Sequence, residues 1–163
     1  MNGLARRGML VFALVALCAG TLLAALEAHA PDVMASIRDI FAGQGVTSSV
    51  KGADADLMRH LATHVENAED GSLTFANFVE FDSQYGHRRD VAGYARALEW
   101  FDAELGTLMP RLRDGDMLVI TADHGNAEFM FDKATNQPHT AHTTNPVPVV
   151  MFGGPEGVTL RDG

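Results

Sequence analysis

An apolar run, Met117 to Ala122, feeds directly into Asp123, His124 and Gly125. A strand-length run of this kind presents a carboxylate and an imidazole at the C-terminal end of a strand, where open α/β sheets keep their chemistry. Gly125 permits a sharp turn with the backbone close to whatever the two side chains hold. Alone, an Asp-His-Gly string equally describes a surface pair closing a strand. Other residues of this chain join it.

The length of 163 residues sets one modest domain or a piece of a larger one, and 47% hydrophobic residues suffice for a core. A formal charge of −9 without a basic stripe excludes nucleic acid as a partner. The single cysteine, Cys18, excludes an intramolecular disulfide and any CxxC zinc or redox pattern. A metal would have to be held by Asp and His, a mixed oxygen–nitrogen shell that suits Mn, Fe or Zn.

The sequence divides into an apolar N-terminal segment, 1–30, and a partial metal-binding α/β domain, 31–163. Arg6 and Arg7 precede an apolar run from Gly8 to Leu26, which ends in Ala28-His29-Ala30. A basic start, an apolar centre near the ~20 residues that span a bilayer and an Ala-x-Ala end describe an export signal or an anchor through residues 8–26. Against cleavage, Pro31 follows the presumed cut. The soluble alternative is a buried strand, Met9 to Leu17, followed by an amphipathic helix over Thr21 to His29, with Leu22, Leu23, Leu26 and later Val33 toward a core. Both readings stay open at this point.

Further along, Val33, Ile37, Ile40 and Phe41 recur at intervals before Gly43-Gln44-Gly45, a turn signal. Val46 to Lys51 leans toward strand. Asp54 to Ala68 carries Leu57, Leu61 and Val65 at i, i+4 and i+8, the stripe of a helix packed on a sheet. Leu73 to Phe81 reads as a buried strand, with Asp82 directly after it and His87 five residues on. Asp90 suits a helix N-cap, and Tyr94, Leu98, Phe101, Leu105, Leu108 and Leu112 form a core stripe. Pro110 stops or kinks that helix, and Asp114-Gly115 turns into the strand Met117 to Ala122. Ala127 to His139 reads as a polar loop, and Pro146 to Phe152 as another strand ended by Gly153-Gly154-Pro155. The alternation predicts a largely parallel sheet flanked by helices. Asp82 and Asp123 then lie at strand ends that a right-handed crossover makes neighbours or near-neighbours.

Asp82, His87, Asp123, His124 and His142 are the candidate metal ligands. Two cations ~3.5–4 Å apart need about this many donors and can bridge a transferring phosphoryl group. The hard-to-borderline shell favours Mn²⁺, ahead of Zn²⁺ and Mg²⁺. His139 is a candidate for supporting the ligands from behind, and His29, His60 and His64 read as structural or exposed.

The string FVEFDSQYGHRRDVAGYARALEWFD (Phe78 to Asp102) resembles phosphopentomutase, a metalloenzyme family of the alkaline phosphatase superfamily. The likeness extends back through IRDIFAGQGVTSSVKG and, more loosely, to about Thr21. Forward, it runs through LRDGDMLVITADHG. The resemblance implies an alkaline-phosphatase-like metal core with two Mn²⁺, one held by Asp82, His87 and His142 and the other by Asp123 and His124. It implies a cytoplasmic enzyme of nucleoside catabolism that interconverts ribose or deoxyribose 1-phosphate and 5-phosphate through a phosphoenzyme. After Gly125 the segment NAEFMFDKATNQPHTAHTTNPVPVV is more similar to cofactor-independent phosphoglycerate mutase, a sister family. Features of both families are missing. No Asp ends a strand in the first thirty-one residues, no Ser or Thr nucleophile motif is present, and the cap domain is absent. Thr47, Ser48 and Ser49 read as an ordinary turn. Beside pentose phosphate transfer stand three alternatives: phosphoglycerate mutation, an exported phosphatase or phosphodiesterase, and a non-catalytic metal-binding remnant. Oligomeric state is not legible.

Overall fold

The computed structural model describes residues 10–15, 31–33, 46–139 and 141–161. Five strands form one sheet in the order β2-β3-β1-β4-β7. They are β1 (Leu10–Val15), β2 (Pro31–Val33), β3 (Leu73–Phe78), β4 (Met117–Thr121) and β7 (Val149–Gly153). The first four run parallel, and β7 closes the edge antiparallel to β4. β1 comes from the apolar N-terminal run and separates β3 from β4, so the ends carrying Asp82 and Asp123 are near-neighbours. Among the described residues no helix is long and apolar enough to cross a membrane. The helix expected over Thr21 to His29 and the segment from Ile37 to Gly45 lie outside the described residues. Val33, expected toward a core beyond that helix, lies in β2 and pairs with Phe75 of β3.

Helix α1 (Asp54–Asn67) follows its stripe: Leu57, Met58, Leu61 and Val65 are buried, while Asp56 puts negative charge in its first turn. Val46 to Lys51 forms no strand, since β2 takes that edge of β3. Thr47, Ser48 and Ser49 lie in this irregular stretch before α1. β3 is buried along nearly its whole length rather than alternately, as a central parallel strand covered on both faces must be.

β3 ends at Phe78, not at Phe81. The cause lies 26 residues upstream, where the Asp54 carboxylate accepts the Glu80 N–H at 3.1 Å. The Ser83 N–H donates to the Val79 carbonyl at 3.0 Å, so this backbone enters a helical turn instead of a ladder. Phe81 then packs edge-on against Tyr94 and Phe101, with ring centroids 5.6 and 5.8 Å apart.

Helix α2 (Val91–Leu108) starts where the Asp90 carboxylate accepts the Gly93 N–H at 2.8 Å. It runs into a 3₁₀ turn, Met109–Arg111, that contains Pro110. Its core stripe needs one correction: Leu98 is 46% exposed. On a 3.6-residue repeat the buried face centres on Ala97, Phe101 and Leu108, leaving Leu98 on the flank. Both helices close over one core, in which Leu57, Leu61 and Val65 meet Phe78, Phe101 and Leu118. Asp90→Ala is expected to lower stability by about 1 kcal/mol through loss of the cap. Urea unfolding checks this, and an unchanged midpoint would show that the cap adds nothing.

The polar excursion after β4 is not wholly loop. β5 (Phe131–Asp132) and β6 (Gln137–Pro138) pair as a short hairpin. Asp132 accepts the Ala134 N–H and the Thr135 hydroxyl, both at 2.8 Å, and Asn136 takes φ 54°. Asn tolerates this left-handed conformation better than most residues.

Candidate metal centre

The spacing of five between Asp82 and His87 has a physical basis. Phe81–Gly86 is a π-helical turn, and the His87 N–H donates to the Asp82 carbonyl at 2.8 Å. A π turn closes i to i+5 and so stacks the two side chains, a device found at functional sites. His87 Nε2 lies 2.9 Å from Asp82 Oδ2. Asp82 itself is 3% exposed.

His142 arrives from the loop before β7. Its Nε2 is 3.5 Å from Asp82 Oδ1, and the donor atoms of Asp82, His87 and His142 all lie within 4.8 Å of one another. The His142 ring stacks on that of His124 at 3.7 Å and 15°. His124 Nε2 is 3.6 Å from Asp123 Oδ1, so the Asp123–His124 pair adjoins the triad. His139 instead packs against Phe129 at 4.7 Å, and its N–H donates to the Met130 carbonyl at 3.0 Å.

The tautomer of His124 follows from its surroundings. Nδ1 lies 3.1 Å from the Gly125 carbonyl, an acceptor only, so Nδ1 carries the proton. In the neutral ring Nε2 then keeps a lone pair. Nε2 of His124 and of His142 are both buried without a hydrogen-bond partner among the described residues. An imidazole nitrogen facing a carboxylate, with the other ring nitrogen anchored to a carbonyl as at His124, fits a divalent cation.

Three residues that support this arrangement were not singled out from sequence. The Asn126 amide donates to Asp82 Oδ1 at 2.6 Å, and its oxygen accepts from Arg89 Nη1 at 3.2 Å. Glu128 accepts the Asn126 N–H at 2.8 Å, the Thr143 hydroxyl and the Asn145 amide at 3.0 Å. It thereby ties the loop after β4 to the loop carrying His142. Burial pushes the Glu128 carboxyl up, but these hydrogen bonds outweigh it and hold its pKa below the ordinary value. The Tyr94 phenol is raised by burial and then by the charges of Asp82, Glu128 and Asp123, which marks the local field as negative.

Gly125 also meets a second loop. The Thr143 N–H donates to its carbonyl at 2.9 Å, and an added Cβ would collide with Thr143 Oγ1 and Glu128 Oε1. The close approach is between two loops. Asn126→Ala is expected to weaken metal binding about 10- to 100-fold, the usual cost of losing a residue that orients a ligand. Calorimetric Mn²⁺ titration measures it, and unchanged affinity would show that Asp82 holds its position unaided.

A parallel sheet whose strand ends gather carboxylates and imidazoles defines a metal-dependent α/β domain. The chain belongs to the Metalloenzyme superfamily, whose family model matches residues 31–162. Its relatives narrow this further. A phosphopentomutase of Sinorhizobium fredii is 51% identical over 136 residues, 82% of this chain and 32% of the relative. One of Sinorhizobium medicae is 52% identical over 118 residues, 72% of this chain and 27% of the relative. One of Aeromonas salmonicida is 47% identical over 120 residues, 73% of this chain and 28% of the relative. The chain thus spans about a third of the length of these relatives.

Proposed function

We propose that this chain carries the metal-holding part of a phosphopentomutase-type phosphotransfer, in which ribose or deoxyribose 1-phosphate and 5-phosphate interconvert in the cytoplasm. The observation that carries the reading is the convergence of Asp82, His87 and His142 beside Asp123 and His124, in a chain about half identical to phosphopentomutases. Asp82, His87 and His142 would hold one divalent ion, and Asp123 and His124 would contribute to a second. The Cys-free oxygen–nitrogen shell favours Mn²⁺, with Zn²⁺ and Mg²⁺ behind it. Such ions neutralise charge on a transferring phosphoryl group and activate the attacking oxygen.

The residues of the chain itself set the conditions for that chemistry. Asn126 and Glu128 fix the ligand carboxylate and the two loops, and Gly125 lets those loops meet. The charges of Asp82, Glu128 and Asp123, which add to burial in raising Tyr94, attract cations and would repel a sugar phosphate until cations are bound.

The test is conversion of ribose 1-phosphate to ribose 5-phosphate with Mn²⁺, comparing the chain with Asp123→Ala and running 3-phosphoglycerate in parallel. Turnover of pentose phosphate that the substitution removes supports the reading. Turnover of phosphoglycerate alone would assign the chain to the sister reaction. Mn²⁺ binding unchanged by Asp82→Asn would remove the metal site.

A further inference from the structure

We propose that the Nε–Nη2 edge of Arg89 is a phosphate site adjoining the metal-ligand cluster. Arg89 sits two residues beyond His87, at the exit of the π-helical turn, with φ 58°. That left-handed conformation is uncommon for a residue with a side chain. Its N–H donates to the Gly86 carbonyl at 3.1 Å. Nη1 donates to the Asn126 amide oxygen at 3.2 Å, and Nε and Nη2 are buried with no hydrogen-bond partner among the described residues.

A guanidinium cannot shed its charge by losing a proton. A half-buried cation whose only side-chain hydrogen bond among the described residues is to a neutral amide, with two donor nitrogens buried, is expensive, and an anion removes that cost. The unmet donors are also the right pair. Nε and Nη2 present two parallel N–H groups, the fork that grips two oxygens of a carboxylate or phosphate. The carboxylates nearby are engaged elsewhere: Asp82 with Asn126 and His87, Asp90 with the Gly93 N–H, and Glu128 with Thr143 and Asn145.

Asn126 joins Arg89 to Asp82 through hydrogen bonds of 3.2 and 2.6 Å, so an anion on this edge lies beside the ligand triad. A phosphoryl group can share its oxygens between a guanidinium and a divalent cation. The choice of phosphate over carboxylate rests on the metal reading proposed above; the anion-binding edge does not. Occupation requires a rotamer step of the long side chain, a fast motion on the scale of binding.

The experiment is calorimetric titration of the full chain with inorganic phosphate, in EDTA and again with Mn²⁺, and with acetate as the comparison anion. Arg89→Gln and Arg89→Lys are the variants, their folding checked by circular dichroism and their Mn²⁺ affinity measured separately. Saturable phosphate binding that falls at least about tenfold in Arg89→Gln and is partly kept in Arg89→Lys is the expected result. Equal phosphate binding by Arg89→Gln, no phosphate binding by the unsubstituted chain, or acetate bound as tightly as phosphate would each overturn it. Failure of the metal reading shows separately, as absent Mn²⁺ binding by the unsubstituted chain. In that case the anion edge is judged by the EDTA titration.

Discussion

Asp82→Asn is expected to lower Mn²⁺ affinity by more than about 100-fold, which is more than about 2.7 kcal/mol. Asp82 is the hub of the cluster: one oxygen faces His87 at 2.9 Å, and the other faces His142 at 3.5 Å and the Asn126 amide at 2.6 Å. Loss of a residue that only orients a ligand costs 10- to 100-fold, so loss of the central anion costs more. The amide keeps the shape and can still accept from Asn126, so the fold is retained. Removing a charge buried to 3% exposure also lifts its desolvation penalty in the metal-free chain. Mn²⁺ binding followed by electron paramagnetic resonance, with unfolding measured alongside, decides the matter. Affinity within tenfold of the unsubstituted chain would show that Asp82 is not a ligand.

The second large effect lies away from the cluster. Asp54 opens α1 with 2% exposure, and its Oδ1 is buried without a hydrogen-bond partner among the described residues. Burial, and then the charge of Glu80, push its pKa up to about 7, against the opposing hydrogen bonds from the Glu80 and Val79 backbone. The folded chain therefore holds this proton over a range where the unfolded chain has released it. Stability is fully present below the unfolded value of 3.8, falls as pH rises toward 7, and levels off above it. The whole window is worth up to about 4 kcal/mol, of which about 3 kcal/mol falls between pH 5 and pH 8. Asp54→Asn cannot ionise and should remove this slope, so its stability relative to the parent rises by about that amount over the interval. Urea unfolding at the two pH values gives the difference directly. A constant difference would mean that Asp54 titrates normally.

Where local pattern decides structure, the sequence was readable. The stripe in α1, the cap at Asp90, the apolar runs of β3 and β4 and the adjacent Asp123 and His124 each follow from residues within a turn or two of one another. Asp82 and His87 were visible as a pair, and His142 entered on its type and on family likeness. What could not be read depends on distant segments meeting. The end of β3 is set by Asp54, and Asn126, Glu128 and Arg89 matter only once two loops have closed. Asn126 had a signal in its position directly after Asp-His-Gly, but nothing in that position names Asp82 as its partner.

The donor set is divided unevenly along the chain. Asp82 and His87 are held by one turn, Asp123 and His124 are consecutive, and His142 reaches them across the hairpin loop that Glu128 fastens. A cation joining Asp82 to His142 would therefore act as a removable cross-link, closing a long stretch of polypeptide that includes α2 and β4. Closing a long loop costs entropy that grows only slowly with its length, and a ligand bound solely by the folded state stabilises that state in proportion to the logarithm of its concentration. The pairing of β7 with β4 lies just beyond this clasp. The strength of that sheet edge would thus be coupled to metal supply, and chelation would loosen the last strand before it reached the core beneath the helices.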